Sequence, residues 1–273
     1  MAGSRRVRVG ISGWSYGSWR GDFYPRGLRQ ADELAYVAQR MDTAEVNASF
    51  YRLQRPTTYA RWYEATPQGF RFAVKGSRLL THLLRLRDVE QPLATFLASG
   101  VLALREKIGP LLWQLPARGA PTPESLDAFC SLLPRTYGQA VTLARRHGPQ
   151  VGGDRVWLPG AVEGGQRPIQ HAVEVRTTDG LDEVVEVLRR HRVALVVSDG
   201  AGRWPIIERP TASFAYVRLH GHTDLYHGGY SVQRLRTWAD RIRSWDQPTW
   251  VYFDNDADGR APYDAVALGR ILG

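Results

Sequence analysis

The chain of 273 residues has a single cysteine, Cys130, and this scarcity excludes several kinds of site. One thiol cannot form a disulfide within the chain, a zinc site of several thiolates or a cysteine-held iron–sulfur cluster. We expect Cys130 to be a small buried side chain on a helix. Long apolar runs are also missing: none approaches the roughly 20 residues that cross a bilayer, so no membrane segment is predicted.

The first six residues lack the marks of a targeting segment. They are basic, and no apolar stretch or small-residue cleavage site follows them before the first predicted strand. The sequence therefore predicts a cytoplasmic protein.

Lysine is nearly absent, because Lys75 and Lys107 are the only two and every other basic residue is arginine. The net charge of +9 and the pI near 10.0 indicate an anionic partner, either a small molecule or nucleic acid. A chain-wide preference for arginine would produce the same charge and weakens that inference. Lys75, at the end of a predicted strand, invites a chemical role, with a solvated surface lysine as the alternative.

Eight short apolar runs have the character of β-strands, and helical spacing lies between most of them. The strands are predicted at 7–13, 43–47, 70–76, 111–115, 171–176, 194–199, 214–221 and 250–256. Helices are predicted at 28–41, 57–65, 89–108, 123–133, 136–147, 181–191, 231–244 and 263–272. This alternation predicts one (β/α)8 TIM-type barrel domain over 1–273, with 150–170 as a surface insertion loop.

The stretch 171–176 places two opposite charges on one face of a predicted strand. If Val173 and Val175 pack against helices, the period of two turns Glu174 and Arg176 toward the inside of the sheet. Burying an unpaired charge costs several kcal/mol, so the two residues are either a structural ion pair or part of a site.

Polar or aromatic residues recur at the carboxyl ends of the strands, where a TIM barrel carries its active site. They are Trp14, Glu45, Asn47, Lys75, Gln114, Glu174, Arg176, Asp199, Arg218, His220, Asn255 and Asp256. A core built only for stability would not end every strand in this way, so we expect these residues to form one cleft.

Several blocks of the sequence resemble the signature motifs of the YecE-like family, domain of unknown function seventy-two. The blocks include Gly10-Ile-Ser-Gly-Trp14, Glu45-Val-Asn-Ala-Ser-Phe-Tyr51, Phe70-Arg-Phe-Ala-Val-Lys75, Gly109-Pro-Leu-Leu-Trp-Gln-Leu-Pro116, Val173-Glu-Val-Arg176, Tyr216-Val-Arg-Leu-His-Gly221, Tyr230 and Val251-Tyr-Phe-Asp-Asn-Asp256. The resemblance spans almost the whole chain and implies a single TIM-type barrel, but it does not imply an activity. Two departures stand out: Thr177 replaces a usual histidine, and Asp254 replaces a usual asparagine.

The residue types favour acid–base chemistry on an anionic substrate. Glu45 and Glu174 could act as general base and acid, and His220 is placed for proton transfer. The forks of Arg176 and Arg218, with the charge of Lys75, suit a phosphate. The other predicted substrate-binding residues are Trp14, Asn47, Tyr51, Gln114, Tyr230, Asn255 and Asp256. His82 falls in a predicted loop and is expected to be solvated.

Our first hypothesis is a hydrolase or lyase acting on a phosphate-containing substrate, either nucleic acid or a nucleotide. One alternative is a carbohydrate-active enzyme that uses Glu45 and Glu174 as its carboxylate pair. Another is a non-catalytic module that binds nucleic acid. No cofactor is expected, although an oxygen-rich divalent metal site remains an alternative; its ligands would be Glu45, Glu174, Asp199, His220 and Asp256. The oligomeric state is not predicted.

Overall fold

Eight parallel strands follow one another around a closed barrel, in sequence order, in the computed structural model. The structure describes residues 7–149 and 151–273, so the expectation for residues 1–6 and the first residue of the 150–170 loop lie outside it. The strands are β1 Val7–Ser12, β2 Thr43–Val46, β3 Arg71–Lys75, β4 Ile108–Gln114, β5 His171–Glu174, β6 Ala194–Asp199, β7 Ala215–Leu219 and β8 Thr249–Phe253. The predicted TIM-type barrel is confirmed.

Helices alternate with most of the strands. They are α1 Glu33–Ala38, α2 Ala48–Tyr51, α3 Pro56–Glu64, α4 Glu90–Ala98, α5 Pro123–Leu132, α6 Tyr137–Ala144, α7 Leu181–Arg190, α8 Val232–Ser244 and α9 Ala261–Leu272. As expected, no helix lies between β6 and β7. Short 3-10 or π turns occupy Gly17–Trp19, Gln30–Asp32, Leu79–Leu83, Val101–Lys107 and Gly153–Arg155.

Local side-chain chemistry fixes several helix ends. The hydroxyl of Thr122 accepts a hydrogen bond from the backbone of Ser125 at 3.3 Å, and Pro123 occupies the first turn of α5. Thr136 and Gln139 form a capping box at the start of α6. These caps explain why the predicted starts of both helices lie within one residue of the observed ones.

Several predicted elements are shorter than expected, and three of them bear on the site or on the connections between strands. The predicted helix 89–108 is interrupted at Gly100, whose φ of 121° is not helical, and a 3-10 segment completes the connection to β4. Within the predicted helix 28–41, only Glu33–Ala38 is α-helical. The predicted strand 171–176 ends at Glu174, so Arg176 lies just beyond the ladder.

The chain divides into two compact units, which are described separately below. The first contains the described residues up to Glu45 together with Ala194–Gly273, and the second contains Val46–Val193. The assignment of 1–273 to a single domain therefore stays a prediction. In the first unit, an apolar core joins the outward side chains of the strands to α1, α8 and α9.

The composition led to two expectations, one for Cys130 and one for membrane-spanning helices. Cys130 is fully buried on α5, and burial raises the pKa of its thiol to about 12. Throughout the residues that the structure describes, we find no helix long and apolar enough to cross a membrane.

Candidate functional site

Several buried charged groups of the first unit lie on the inner face of the sheet. Ser12 of β1 stands opposite Glu45 of β2, and Arg218 of β7 stands opposite Tyr252 of β8. Because side chains alternate along a strand, Tyr216 shares the inner face with Arg218. We call Ser12, Glu45, Tyr216, Arg218, His220 and Asp254 the Arg218 cluster; each of these residues is buried.

Glu45 is held by both of its oxygens. Arg218 donates from Nε to Oε2 at 3.1 Å and from Nη2 to Oε1 at 2.8 Å, which is the bidentate geometry of a strong charge-assisted pair. Tyr216 donates to Oε2 at 2.6 Å, and the Ser12 hydroxyl donates to Oε1. These contacts engage both oxygens of the Glu45 carboxylate, so the general-base or general-acid role predicted for it would require them to open.

Asp254 connects Arg218 with His220. Its Oδ2 accepts from Nη2 of Arg218 at 3.0 Å and lies 2.8 Å from Nδ1 of His220. A carboxylate at Nδ1 orients an imidazole and favours the tautomer that carries its proton there. Nε2 of His220 lies 3.4 Å from Nη1 of Arg218, so both ring nitrogens of this predicted proton-transfer residue face protein groups.

Asp254 is a member of this cluster that was not among the predicted site residues. In the predicted eighth strand, only the last two residues, Asn255 and Asp256, were predicted to bind substrate. The signal that could have found Asp254 is parity, since Asp254 lies two residues beyond the inward-facing Tyr252.

Asp256 is a carboxyl group of this unit whose surroundings raise its pKa. Burial, followed by the charge of Asp254, raises its pKa to about 6. The nearby hydroxyl of Tyr16 lowers this pKa in part, and it donates its proton to the carbonyl of Ser12 at 2.7 Å. Because Asp256 is only partly buried, it can exchange a proton near neutral pH in contact with solvent.

Asn255 and Tyr230 hold the loop after β7 against α9. The side-chain amide of Asn255 donates to the carbonyl of Gly228 and to the carboxylate of Asp264, both at 2.8 Å. The backbone of Tyr230 donates to the same carboxylate at 3.0 Å, and its hydroxyl donates to Asp199 at 3.2 Å. In the conformation described, both predicted substrate-binding residues anchor this loop.

The second unit contains a group of basic side chains, which we call the cation cluster: Lys75, Arg78 and Arg176, with His82 beside them. Nζ of Lys75 lies 4.3 Å from the ring centroid of Phe50. The ring of His82 packs edge-on against the same phenyl ring at 5.1 Å. His82 is therefore half-buried, so it is less solvated than expected.

The surroundings of His82 lower the pKa of its imidazole. Burial lowers it most, and the charges of Lys75, Arg176 and Arg78 lower it further. The imidazole is therefore neutral at pH 7 and lies in a region of positive potential. Sequence reasoning missed His82 because a π-helical turn, Leu79–Leu83, places it there.

Glu174 supplies a carboxylate close to the cation cluster. It is fully buried at the end of β5, and its Oε1 lies 3.6 Å from Nη2 of Arg176, whose side chain is 15% exposed. This separation is an ion pair without the short bidentate contacts that Glu45 receives from Arg218. Gln114 lies beside Glu174 in register on β4 and is also buried.

The remaining predicted binding residues are more peripheral. Asn47 immediately precedes α2 and is partly buried, whereas Tyr51 at the end of α2 is 71% exposed and packs edge-on against Phe50. Trp14 is partly buried in the first unit, where its carbonyl accepts a hydrogen bond from the hydroxyl of Tyr24.

Within residues 7–149 and 151–273, no group of three or more His, Cys, Asp or Glu side chains has the arrangement of a metal site.

Comparison with known proteins identifies similar chains. A model of the family described as "Protein of unknown function DUF72" matches residues 8–273. The UPF0759 protein YecE of Escherichia coli strain K12 is 23% identical over 249 residues, which cover 90% of this chain and 84% of YecE.

Solved structures of DUF72 family proteins superimpose on this chain. One from Thermotoga maritima has a TM-score of 0.76 at 22% identity and covers 97% of this chain and 98% of its own. One from Enterococcus faecalis has a TM-score of 0.72 at 16% identity, and the match covers 98% of this chain and 95% of the Enterococcus chain. At these identities the solved structures support the fold alone.

Proposed function

The chain belongs to the DUF72 family, and we propose that it is an enzyme, a hydrolase or a lyase, that acts on a phosphate-containing substrate. The observation that supports this proposal most is the cation cluster of the second unit. Lys75, Arg78 and Arg176 all act electrostatically on His82, and Glu174 is the carboxylate paired with Arg176. Three cations in one cluster suit an anion with several oxygens, as a phosphate has.

The residues of this cluster differ in what they can offer a substrate. Lys75 presents a compact ammonium group and Arg176 a planar fork, the two cations that proteins use most for phosphate oxygens. Neutral His82 and the Glu174 carboxylate are groups that can accept a proton. In hydrolysis, one of them would take a proton from water while the water oxygen bonds to phosphorus and the bond from phosphorus to the leaving oxygen breaks; the same group would then return that proton to the leaving oxygen.

We propose Arg218 as a positioning residue and do not include it in the anion site. Its guanidinium is 0% exposed and donates to Glu45, Ser12 and Asp254. The same contacts weaken the carbohydrate-active alternative, because they engage both oxygens of Glu45, one of its two carboxylates. The three cations of the cation cluster favour a phosphate over an uncharged sugar.

Turnover of a chromogenic phosphodiester, bis(p-nitrophenyl) phosphate, and of the matching monoester tests this proposal. We expect Lys75→Gln and Arg176→Gln to lower kcat/KM by about 10–100-fold, because each removes a charge that faces the phosphate oxygens. Arg61→Gln is the matched control, since Arg61 is exposed on α3 and outside the cluster.

Two results would contradict the proposal. Turnover of nitrophenyl glycosides without turnover of either phosphoester would favour the carbohydrate alternative. Binding of a single-stranded oligonucleotide that Lys75→Gln leaves unchanged, with no turnover of any of these substrates, would favour a non-catalytic module.

A further inference from the structure

A cavity of about 680 Å³ lies in the first unit, between the irregular segment after β6 and one face of α8. This volume falls within the range of about 300–1,000 Å³ that is usual for small-molecule sites. The face of α8 that lines it carries Arg234, Thr237, Trp238 and Arg241. Their spacing of three, four and seven residues from Arg234 places these side chains on one stripe of the helix.

The apolar wall opposite α8 is held in place by its surroundings. The indole N–H of Trp204 donates to the hydroxyl of Ser198 at 3.0 Å, and its ring packs edge-on against His220 at 5.5 Å. A Cβ on Gly200 would stand 2.2 Å from the indole, so only glycine leaves room for it. The cavity therefore has a fixed aromatic surface in the absence of a ligand.

The helix side of the cavity contributes a second tryptophan. Trp238 is buried, and the guanidinium of Arg241 lies over its ring at 4.8 Å. Arg241 is in turn held by Glu208, with 3.3 Å between Nε and Oε1. Its charge is therefore already compensated by the protein.

Two other arginines at the cavity are not compensated in this way. Arg203 and Arg234 are exposed, and neither forms an ion pair with any residue in 7–149 or 151–273. Many other arginines of the same unit do, as Arg243 does with Asp240 at 3.3 Å. Two guanidinium forks facing one cavity attract a group with several anionic oxygens.

The inner edge of the cavity carries a negative charge, the carboxylate of Asp199, which already forms hydrogen bonds within the protein. The Asp199 carboxylate accepts from the hydroxyl of Tyr230 at 3.2 Å and from the backbone of Ala201 at 3.3 Å. Nδ1 of His222 lies 3.8 Å from the same carboxylate. The Asp199 carboxylate repels an anionic group, so the anionic part of a ligand would lie near Arg203 and Arg234. The aromatic surface of the cavity is then left for the uncharged part of the ligand.

We propose that this cavity binds a small ligand in which a planar aromatic ring carries a phosphate group, as in a nucleoside monophosphate. Arg203 and Arg234 hold the phosphate, and the ring lies against Trp204. This site uses none of the residues of the cation cluster, so it does not depend on the reaction proposed above.

Isothermal titration of the full chain with adenosine 5′-monophosphate tests the inference, with adenosine and inorganic phosphate as the two half-ligands. We expect the monophosphate to bind at one site, more tightly than either half. Arg203→Gln and Arg234→Gln should each weaken binding about tenfold, the usual effect of losing one charged hydrogen-bonding partner. Arg236→Gln is the matched control: Arg236 is exposed on the same helix and does not line the cavity.

Three results would overturn the inference. The first is no saturable binding of the monophosphate at millimolar concentration by protein with a normal melting temperature. The second is equal weakening by Arg236→Gln, which would mean general attraction to a basic surface. The third is binding that Lys75→Gln abolishes and Arg234→Gln does not change, which would place the ligand at the cation cluster and support the proposed function instead.

Discussion

Replacing Glu45 with glutamine removes one charge from a buried network and changes almost nothing else. Glutamine keeps the length of the side chain and one oxygen that can accept from Tyr216. Its amide nitrogen, however, would then replace Oε1 and face two donors, the Ser12 hydroxyl and Nη2 of Arg218, which now donates to that oxygen at 2.8 Å. The guanidinium would keep Asp254 at 3.0 Å as its anionic partner and lose the bidentate one.

The expected cost follows from the burial of the pair. Breaking a buried ion pair by removing one partner costs about 3–5 kcal/mol, because the remaining charge stays desolvated. Neither Glu45 nor Arg218 is exposed to solvent, and Asp254 compensates part of the lost charge, so we expect the lower end of that range. For a chain of this size, each kcal/mol shifts the melting temperature by about 2–4 °C, which predicts a decrease of about 10 °C.

Thermal unfolding followed by circular dichroism measures the shift, and Asp240→Asn is the control. Asp240 pairs with Arg243 at 3.3 Å on α8, and the two side chains are 76% and 50% exposed. A partly exposed pair contributes at most about 1 kcal/mol, so the control should melt within about 4 °C of the natural chain. If Glu45→Gln also melts within that margin, the positioning role assigned to Arg218 is refuted. Loss of turnover in such a stable variant would support catalysis by Glu45.

Three further changes give contrasting outcomes. Glu174→Gln should abolish phosphoester turnover and leave the melting temperature nearly unchanged, because the contact with Arg176 is long at 3.6 Å; a structural pair would give the reverse. The raised pKa of Asp256, about 6, means that the folded state holds a proton that the unfolded state has lost. The Asp256→Asn variant should therefore become more stable than the natural chain as pH rises from about 4 to about 6. Above pH 6, chemical denaturation should give a difference in the free energy of unfolding of about 1–3 kcal/mol. If the free energies of unfolding of the two proteins change in parallel with pH, the expectation is wrong. Gly200→Ala should weaken binding of adenosine 5′-monophosphate in titration calorimetry and cost about 1–3 kcal/mol of stability, because the new methyl displaces Trp204; unchanged affinity would contradict it.

The barrel could be predicted from the sequence because its strands are short, apolar and regularly separated by helical segments. Residue parity also placed Arg218 and His220 on one face, and the two lie in contact in the structure. Prediction was weaker where backbone geometry departs from a regular period. The helix predicted through Gly100 could not be distinguished from two shorter segments by apolar spacing alone.

The site was predicted less completely because its contacts join distant parts of the chain. His82 reaches the cation cluster through a π-helical turn that has no distinct sequence pattern. Arg203 and Arg234 come from an irregular segment and from a helix, and only packing places them at one cavity. Composition could indicate a basic protein, but it could not show which arginines lack an anionic partner.

The two lysines show how far an argument from rarity can reach. Both are buried, although arginine is the usual base of this chain. Nζ of Lys107 donates to the carbonyls of Tyr63 and Thr66 at 2.5 and 2.6 Å, a convergent arrangement that suits a compact ammonium group better than a planar fork. In this chain, the rare lysines therefore lie at positions that require a lysine, and a structural requirement alone is enough to explain one. For Lys75, the chemical interpretation depends on the second observation, that its charge acts together with Arg176 on the neighbouring His82.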